Sequence, residues 1–223
     1  MEEILIASVF IMKLLIIGAT GATGREIVTQ ALSQGHEVTA LVRDATRAAF
    51  NPSVKIAVGD VLDVHTLEKA LAGQEAVISS LGSAASGPFK EMTLLSEGTR
   101  NLVATMQAQS VKRLVCITGV GAGESKGHGP WYYNWLIQPL MLRGVYQDKT
   151  KQEEIVRDSG LDWTLVRPAI LTNGAASGVR AMRAFTELAG IHVGTICRSD
   201  VAAFCLQELA DGRYLRQAPV ITN

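Results

Sequence analysis

A run of glycines near the N-terminus has the spacing of a phosphate-binding turn. Residues 13–25 read KLLIIGATGATGR, so a short apolar run leads into Gly18, Gly21 and Gly24. Apolar residues at helical spacing follow over 26–34, which predicts a buried strand that turns directly into a helix. The first N–H groups and the dipole of such a helix favour a pyrophosphate, and glycines let the backbone approach it. The alternative is a glycine-rich turn that binds nothing, which the flanking strand and helix disfavour.

The end of the second predicted strand, 37–42, indicates which dinucleotide would bind. An NAD site would place Asp or Glu there, whereas this chain has Arg43, followed one turn later by Arg47. A guanidinium binds a 2′-phosphate bidentately and a carboxylate repels it, so we expect NADP, with NADPH as the reduced form. Two alternatives stay open. Asp44 could turn toward the ribose, and the two arginines could be ordinary surface cations that open a loop.

The composition argues against several classes of partner and site. Twenty-one basic residues balance twenty-one acidic ones, so we expect no nucleic acid and no membrane surface as partner. Cys116, Cys197 and Cys205 are widely spaced in apolar runs, which is typical of reduced thiols in a cytoplasmic protein. The four histidines are scattered, so no metal site is expected. At 223 residues, the chain suits one α/β domain.

Residues 1–12 are interpreted as an N-terminal extension ahead of a domain over 13–223. Glu2 and Glu3 stand where a signal peptide has positive charge, and the apolar stretch over 4–11 is too short to span a bilayer. Met12 lies directly before the first strand, which makes a misplaced start codon a serious alternative.

Strands and helices alternate along the rest of the chain. Further strands are predicted over 54–60, 76–82, 113–118 and 163–168, and helices over 64–71, 92–110 and 148–159. This succession predicts an α/β fold, a Rossmann-type doubly wound parallel sheet in a single domain. In such a fold the ligand lies outside the carboxyl ends of the strands.

Several motifs together carry a resemblance to a known family. They are GATGATG at 18–24, VRD at 42–44, GDV at 59–61, SEGTRNLV at 96–103, SGLDWTLVRP at 159–168 and RSDVA at 198–202. The chain resembles the atypical short-chain dehydrogenase/reductases, and within them the NADPH-dependent flavin reductase/biliverdin-IXβ reductase group. The resemblance implies an NAD(P)H-dependent oxidoreductase that transfers hydride to a planar acceptor such as a flavin or quinone. It implies a monomer or homodimer.

The resemblance also assigns cofactor roles to individual positions. Gly18, Thr20, Gly21, Ala22, Thr23 and Gly24 would contact the pyrophosphate, Arg43, Thr46 and Arg47 the 2′-phosphate, and Asp60 and Val61 the adenine. Leu81 and Gly82 would pass the nicotinamide ribose, Thr118 and Gly119 would face the nicotinamide, and Pro168 would help to close over it. All these positions follow predicted strands, where the fold itself places ligands.

The substrate side departs from that group at three positions. Gly119 stands where the group has serine, Ile170 where it has histidine and Ala84 where it has arginine. These changes remove polar groups that would contact biliverdin. Reduction of a flavin is less affected, because its chemistry is mostly the cofactor's.

The catalytic candidates are Thr118, Tyr146 and Lys149. Most short-chain dehydrogenases place a tyrosine four residues before a lysine on one helix, so that the lysine lowers the pKa of the phenol. Here Val145 stands at that spacing and Tyr146 is displaced by one residue. Positions i and i+3 still share a helix face, so a distorted pair is one alternative. A packed tyrosine with a solvent-facing lysine is the other.

The segment 119–144 begins with glycines and becomes aromatic over 131–142. It is expected to form a lid that stacks on a planar substrate, or else a helix that buries its aromatic side chains in the core or in a dimer interface. The missing tyrosine–lysine spacing also keeps a second function open. The chain could be a non-catalytic NADP(H)-sensing or interaction protein of the same superfamily.

Overall fold

Strands and helices alternate along the chain in the computed structural model, which describes residues 11–82, 93–125, 143–183 and 194–223. The elements of these ranges are β1 (Lys13–Ile17), α1 (Ala22–Ser33), β2 (Glu37–Val42), β3 (Lys55–Val58), α2 (Val64–Leu71), β4 (Ala76–Ser79), α3 (Leu94–Ala108), β5 (Arg113–Ile117), α4 (Arg143–Arg157), β6 (Asp162–Pro168), β7 (Ile170–Thr172), β8 (Arg180–Arg183), β9 (Thr195–Cys197), α5 (Arg198–Asp211) and β10 (Pro219–Thr222). Within the same ranges, no helix combines the length and the apolar character that a bilayer span requires.

Eight strands form one sheet in the order β3-β2-β1-β4-β5-β6-β10-β8. The pairs are parallel except for β8, which runs antiparallel to β10. The order of the strands reverses on either side of β1, and such a switch point is where α/β sheets open a ligand crevice. The Rossmann-type fold predicted from the sequence is confirmed. A second, two-stranded parallel sheet of β7 and β9 was not predicted.

The central strands of the sheet are buried on both faces, as is usual for parallel sheets, whereas the edge strand β3 is largely exposed. Alternate residues of β1 point to opposite sides, so Leu14 and Ile16 join one apolar core while Leu15 and Ile17 join the other. Helices α1 and α5 pack together on the first face, and α3 packs between α2 and α4 on the second. Both helix layers therefore hold the strands whose carboxyl ends form the crevice.

Helix α4 begins at Arg143, five residues before the predicted start at Asp148. Gly144 and Val145 have low helix propensity, so the sequence does not predict that this first turn is helical. Packing of α4 against α3 stabilises the helix. The earlier start places Tyr146 on the same helix as Lys149. Strands β3 and β4 are shorter than predicted, because Gly59 and Ser80 donate the last backbone hydrogen bonds to β2 and β1 before the chain enters loops. The predicted aromatic lid over 131–142 lies outside the described residues.

Candidate cofactor and acceptor site

A cavity of about 480 Å³ lies at the carboxyl ends of the strands around the switch point. It brings together twelve predicted cofactor residues: Gly18, Thr20, Gly21, Ala22, Thr23, Gly24, Arg43, Asp60, Val61, Leu81, Gly82 and Thr118. Lys149, a predicted catalytic residue, also lines it. Among its lining residues that the sequence did not single out are Ser80, Leu94, Leu171 and Arg198. Thr46, Arg47, Gly119, Tyr146 and Pro168 are not among the described lining residues.

The glycine turn is built so closely that side chains would not fit at two of its positions. Gly18 has φ +74°, and a Cβ there would lie 2.5 Å from the Ser80 carbonyl oxygen. A Cβ on Gly24 would lie 2.2 Å from the Gly18 carbonyl oxygen. Gly18 thus lets β1 turn against the end of β4, and Gly24 lets α1 start directly on that turn. Gly21 is exposed at the mouth of the cavity.

The N-terminus of α1 differs from those of other described helices in lacking a side-chain partner. Its N-cap is Gly21, and its first turn holds no acidic residue. Asp63 caps α2 through the His65 N–H, and the Asp148 carboxylate accepts the Leu95 N–H at the start of α3. The first N–H groups of α1 instead face a cavity, where a phosphate oxygen could accept them.

The side chains that follow β2 divide between the cavity and the loop. Arg43 is exposed and lines the cavity, whereas the Asp44 carboxylate accepts the Thr46 N–H at 2.9 Å and its hydroxyl at 2.6 Å. These hydrogen bonds lower the pKa of Asp44 below its usual value. Asp44 therefore caps the short helix Ala45–Arg47 within its own loop, and the Thr46 hydroxyl is directed to it.

Arg25 connects the glycine turn to the loop after β2. Its guanidinium donates to the carbonyl oxygens of Thr20 at 3.2 Å, Arg47 at 3.1 Å and Ala49 at 3.3 Å. The same group lies 5.3 Å from the centroid of the Phe50 ring. One half-buried side chain therefore holds together the two loops that would bind the pyrophosphate and the 2′-phosphate.

At the other end of the cavity, Lys149 and Tyr146 meet beside Gly119. The Lys149 ammonium donates to the Thr118 carbonyl oxygen at 2.8 Å and lies 5.2 Å from the centroid of the Tyr146 ring. A Cβ on Gly119 would lie 3.0 Å from Lys149 Nζ and 3.7 Å from the Tyr146 hydroxyl. Glycine at this position leaves room for the lysine, which a serine side chain would crowd. Burial lowers the pKa of Lys149 to about 8, although Glu153 opposes the shift.

A buried ion pair lies behind this group. Glu153 and Arg167 are both buried, and the Arg167 Nε donates to Glu153 Oε1 at 2.9 Å. The Thr118 hydroxyl donates to the same carboxylate oxygen at 2.7 Å. Thr118 is thereby held with its hydroxyl toward Glu153 and its carbonyl oxygen toward Lys149. Pro168 is buried in β6, where its carbonyl oxygen accepts the Val120 N–H.

A profile of the family described as NAD(P)H-binding matches residues 18–212. Photosystem II assembly factor Ycf39 of Synechocystis is 30% identical over 165 residues, which are 73% of this chain and 46% of that protein. An uncharacterised chloroplastic protein of Arabidopsis thaliana is 30% identical over 207 residues, 88% of this chain and 71% of that protein. The NAD(P)H azoreductase of Xenophilus azovorans is 27% identical over 219 residues, 94% of this chain and 68% of that protein. The chain spans about half the length of Ycf39.

Solved structures share the fold over nearly the whole chain. A short-chain dehydrogenase/reductase from Veillonella parvula in complex with NADP has a TM-score of 0.79 and 16% identity, covering 95% of this chain and 94% of that one. ChuY, an anaerobilin reductase of Escherichia coli O157:H7, has a TM-score of 0.77 and 24% identity, covering 94% and 96%. At these identities the likeness shows the fold.

Proposed function

We propose that this chain, which belongs to the NAD(P)H-binding family, is an NADPH-dependent reductase of a planar acceptor such as a flavin or quinone. The observation that carries the proposal is one continuous cavity with a cation at each end. It runs from Arg43, past the glycine turn, to Thr118 and Lys149. These are the positions at which a dinucleotide extended across the switch point would present its adenosine phosphate and its nicotinamide.

The residues present fit NADPH. The uncapped N–H groups of α1 and the open backbone at Gly21 suit the pyrophosphate, and Arg43 suits the 2′-phosphate because Asp44 is bonded within its own loop. When bound, the cofactor supplies a hydride that an acceptor takes up together with a proton. The protein then has to hold the acceptor, exclude water and supply the proton.

Lys149 is the side chain best placed to deliver that proton. It lines the cavity, its ammonium is oriented by the Thr118 carbonyl oxygen, and its lowered pKa of about 8 brings proton release close to neutral pH. Tyr146 converges on the same point beside Gly119 but is not among the described lining residues. We therefore assign proton delivery to Lys149, with Tyr146 packed beside it.

Two of the similar proteins are reductases by name, an NAD(P)H azoreductase and an anaerobilin reductase. Their names support an azo compound or a tetrapyrrole as further acceptors to test. The purified protein should be incubated with NADPH and, separately, FMN, a quinone, an azo dye and a tetrapyrrole, while the loss of reduced nicotinamide absorbance is followed. We expect turnover with at least one acceptor, and none in Gly21→Asp, in which the pyrophosphate site is blocked.

A non-catalytic NADP(H)-sensing or assembly role is the second candidate, which the 30% identity to an assembly factor favours. It predicts tight NADPH binding, a cofactor-dependent change in association with another protein and no oxidation by any acceptor. Binding without turnover across the whole panel would therefore replace the reductase proposal with this one.

A further inference from the structure

Arg198 is a cation of the cavity for which the proposed cofactor contacts leave no role. It is half-buried, lines the cavity and donates to the Asn173 Oδ1 at 2.6 Å. Asn173 is neutral, and no carboxylate of the described residues lies within ion-pair distance of Arg198. A guanidinium has five N–H donors in a planar fork that matches a carboxylate or a phosphate.

The small sheet of β7 and β9 determines where Arg198 lies. β6 leads through Pro168 and Ala169 into β7, whose Leu171 lines the cavity, and β7 pairs with β9. Arg198 follows β9 directly, as the first residue of α5. It therefore belongs to the β6 side of the cavity, which also holds Thr118 and Lys149. The next residue, Ser199, accepts the Gln30 side-chain amide of α1 at 3.0 Å, so this side of the cavity adjoins α1.

The charges of the cavity are unequal at its two ends. Its described lining residues include three cations, Arg43, Lys149 and Arg198, and one carboxylate, Asp60. Asp60 follows β3, on the adenosine side, where its Oδ1 accepts the Leu62 N–H. The β6 side holds Lys149 and Arg198, and none of its described lining residues is acidic. The nicotinamide itself gives no reason for two cations there.

The cofactor pyrophosphate does not require Arg198. The glycine turn and the uncapped α1 N-terminus already offer N–H donors for it between β1 and β4. An anionic group that is not part of the cofactor would neutralise the excess positive charge on the β6 side of the cavity.

We propose that Arg198 binds a phosphate or carboxylate group of the acceptor, so that the site selects anionic planar acceptors over neutral ones. This inference rests on the proposed reductase function and narrows its substrate class. The fork of Arg198, held by Asn173, fixes the acidic tail of the acceptor while its ring lies toward Lys149. The acidic group also compensates the charge of Lys149 and Arg198 on this side of the cavity.

FMN and riboflavin test the proposal, because they share one ring system and differ in a terminal phosphate. Their dissociation constants should be measured by flavin fluorescence with the protein saturated with NADP⁺. The unchanged protein should bind FMN at least about tenfold more tightly than riboflavin, the effect of one charge-assisted hydrogen bond. Arg198→Met should remove that preference, and Arg198→Lys should keep part of it. Arg180→Met, which removes an exposed arginine outside the lining residues of the cavity, should change neither constant.

Three results would overturn the assignment. The first is equal affinity for the two flavins in the unchanged protein, and the second is affinity for neither. The third is weaker NADP⁺ binding in Arg198→Met with the FMN preference intact, which would show that Arg198 binds the cofactor and not the acceptor. Failure of the proposed reductase function can be distinguished from failure of the Arg198 assignment. In that case the protein would still prefer FMN to riboflavin but would not oxidise NADPH. Retained reduction of riboflavin by Arg198→Met would show that the reductase machinery is intact.

Discussion

Arg43 and Asp44 are neighbours in the chain with different partners. The Asp44 carboxylate is occupied by Thr46, whereas Arg43 lines the cavity. From the sequence alone either residue could meet the ribose, because both follow the strand. Only the loop geometry distinguishes them, through a local capping hydrogen bond.

Arg43→Ala should remove most of the preference for NADPH over NADH. Each charge-assisted hydrogen bond lost to the 2′-phosphate is worth about 1.5–3 kcal/mol, so the preference should fall tens-fold. Dissociation constants for both nucleotides, measured by calorimetry, would give the ratio. Arg47→Ala is the matched control, since Arg47 is not a described lining residue, and its effect should be smaller. Equal affinities for the two nucleotides in the unchanged protein would contradict the assignment of NADP.

If Lys149 delivers the proton, the reaction rate should fall at alkaline pH. The proton donor must be protonated, and burial lowers the pKa of Lys149 to about 8, so kcat should fall as the pH rises through that value. Lys149→Met should lower kcat by roughly tenfold to a hundredfold and remove this limb of the pH profile. Tyr146→Phe should change kcat little. Lys151→Met, an exposed lysine on the same helix, is the control. An unchanged pH profile in Lys149→Met would show that the proton comes from elsewhere.

At the scale of elements, Arg25 determines the relative position of two loops. Arg25→Met keeps the side-chain stem and removes three hydrogen bonds to backbone carbonyls. We expect the ratio of NADPH to NADH affinity to fall several-fold, because the 2′-phosphate loop is no longer tied to the glycine turn. An equal loss of affinity for both nucleotides would indicate a structural role only. Arg100→Met, on the exposed face of α3, should leave the ratio unchanged.

Asp148 joins helices α4 and α3. Its buried carboxylate accepts the N–H groups of Leu95 at 2.8 Å and Ser96 at 3.1 Å, in place of a cap from the residue before α3. Asp148→Ala should lower the free energy of unfolding by about 1–2 kcal/mol, measured in urea, as loss of an N-cap does. Asp158→Ala, an exposed residue just beyond α4, should have little effect. Equal stability of the two variants would exclude the capping role.

The sequence predicted elements with strong periodicity better than short ones. The glycine turn and six strands, β1 to β6, were predicted because apolar runs and glycine spacing are local signals. The seventh parallel strand, β10, and the antiparallel β8 were not predicted. β7 and β9 have three residues each, too few for a periodic pattern, so the position of Leu171 and Arg198 was missed. RSDVA at 198–202 was recognised only as part of a family likeness. The start of α4 was missed because tertiary packing overrides the weak propensity of Gly144 and Val145.

Over the whole molecule the net charge is zero, but the cavity has a local excess of positive charge. The chain balances its charges, yet the described lining residues of the cavity carry three cations and one carboxylate. Composition gives no reason to expect a polyanionic partner, whereas binding of a small anionic ligand depends on which side chains the fold brings together. The sequence predicted Arg43 and Lys149 as site residues but gave no local signal that Arg198, at the start of α5, joins them.

Cofactor binding should stabilise the whole fold through the glycine turn. A ligand that binds only the folded state at a hundred times its dissociation constant adds about 2.7 kcal/mol to the free energy of unfolding. Saturating NADPH should therefore raise the melting temperature of the unchanged protein. Gly21→Asp should fold but lose this increase, because a carboxylate at the exposed N-cap of α1 would repel the pyrophosphate. Ala72→Asp, which adds the same charge at an exposed position after α2, should keep the full increase. A Gly21→Asp protein that NADPH still stabilises would place the phosphates somewhere other than the glycine turn.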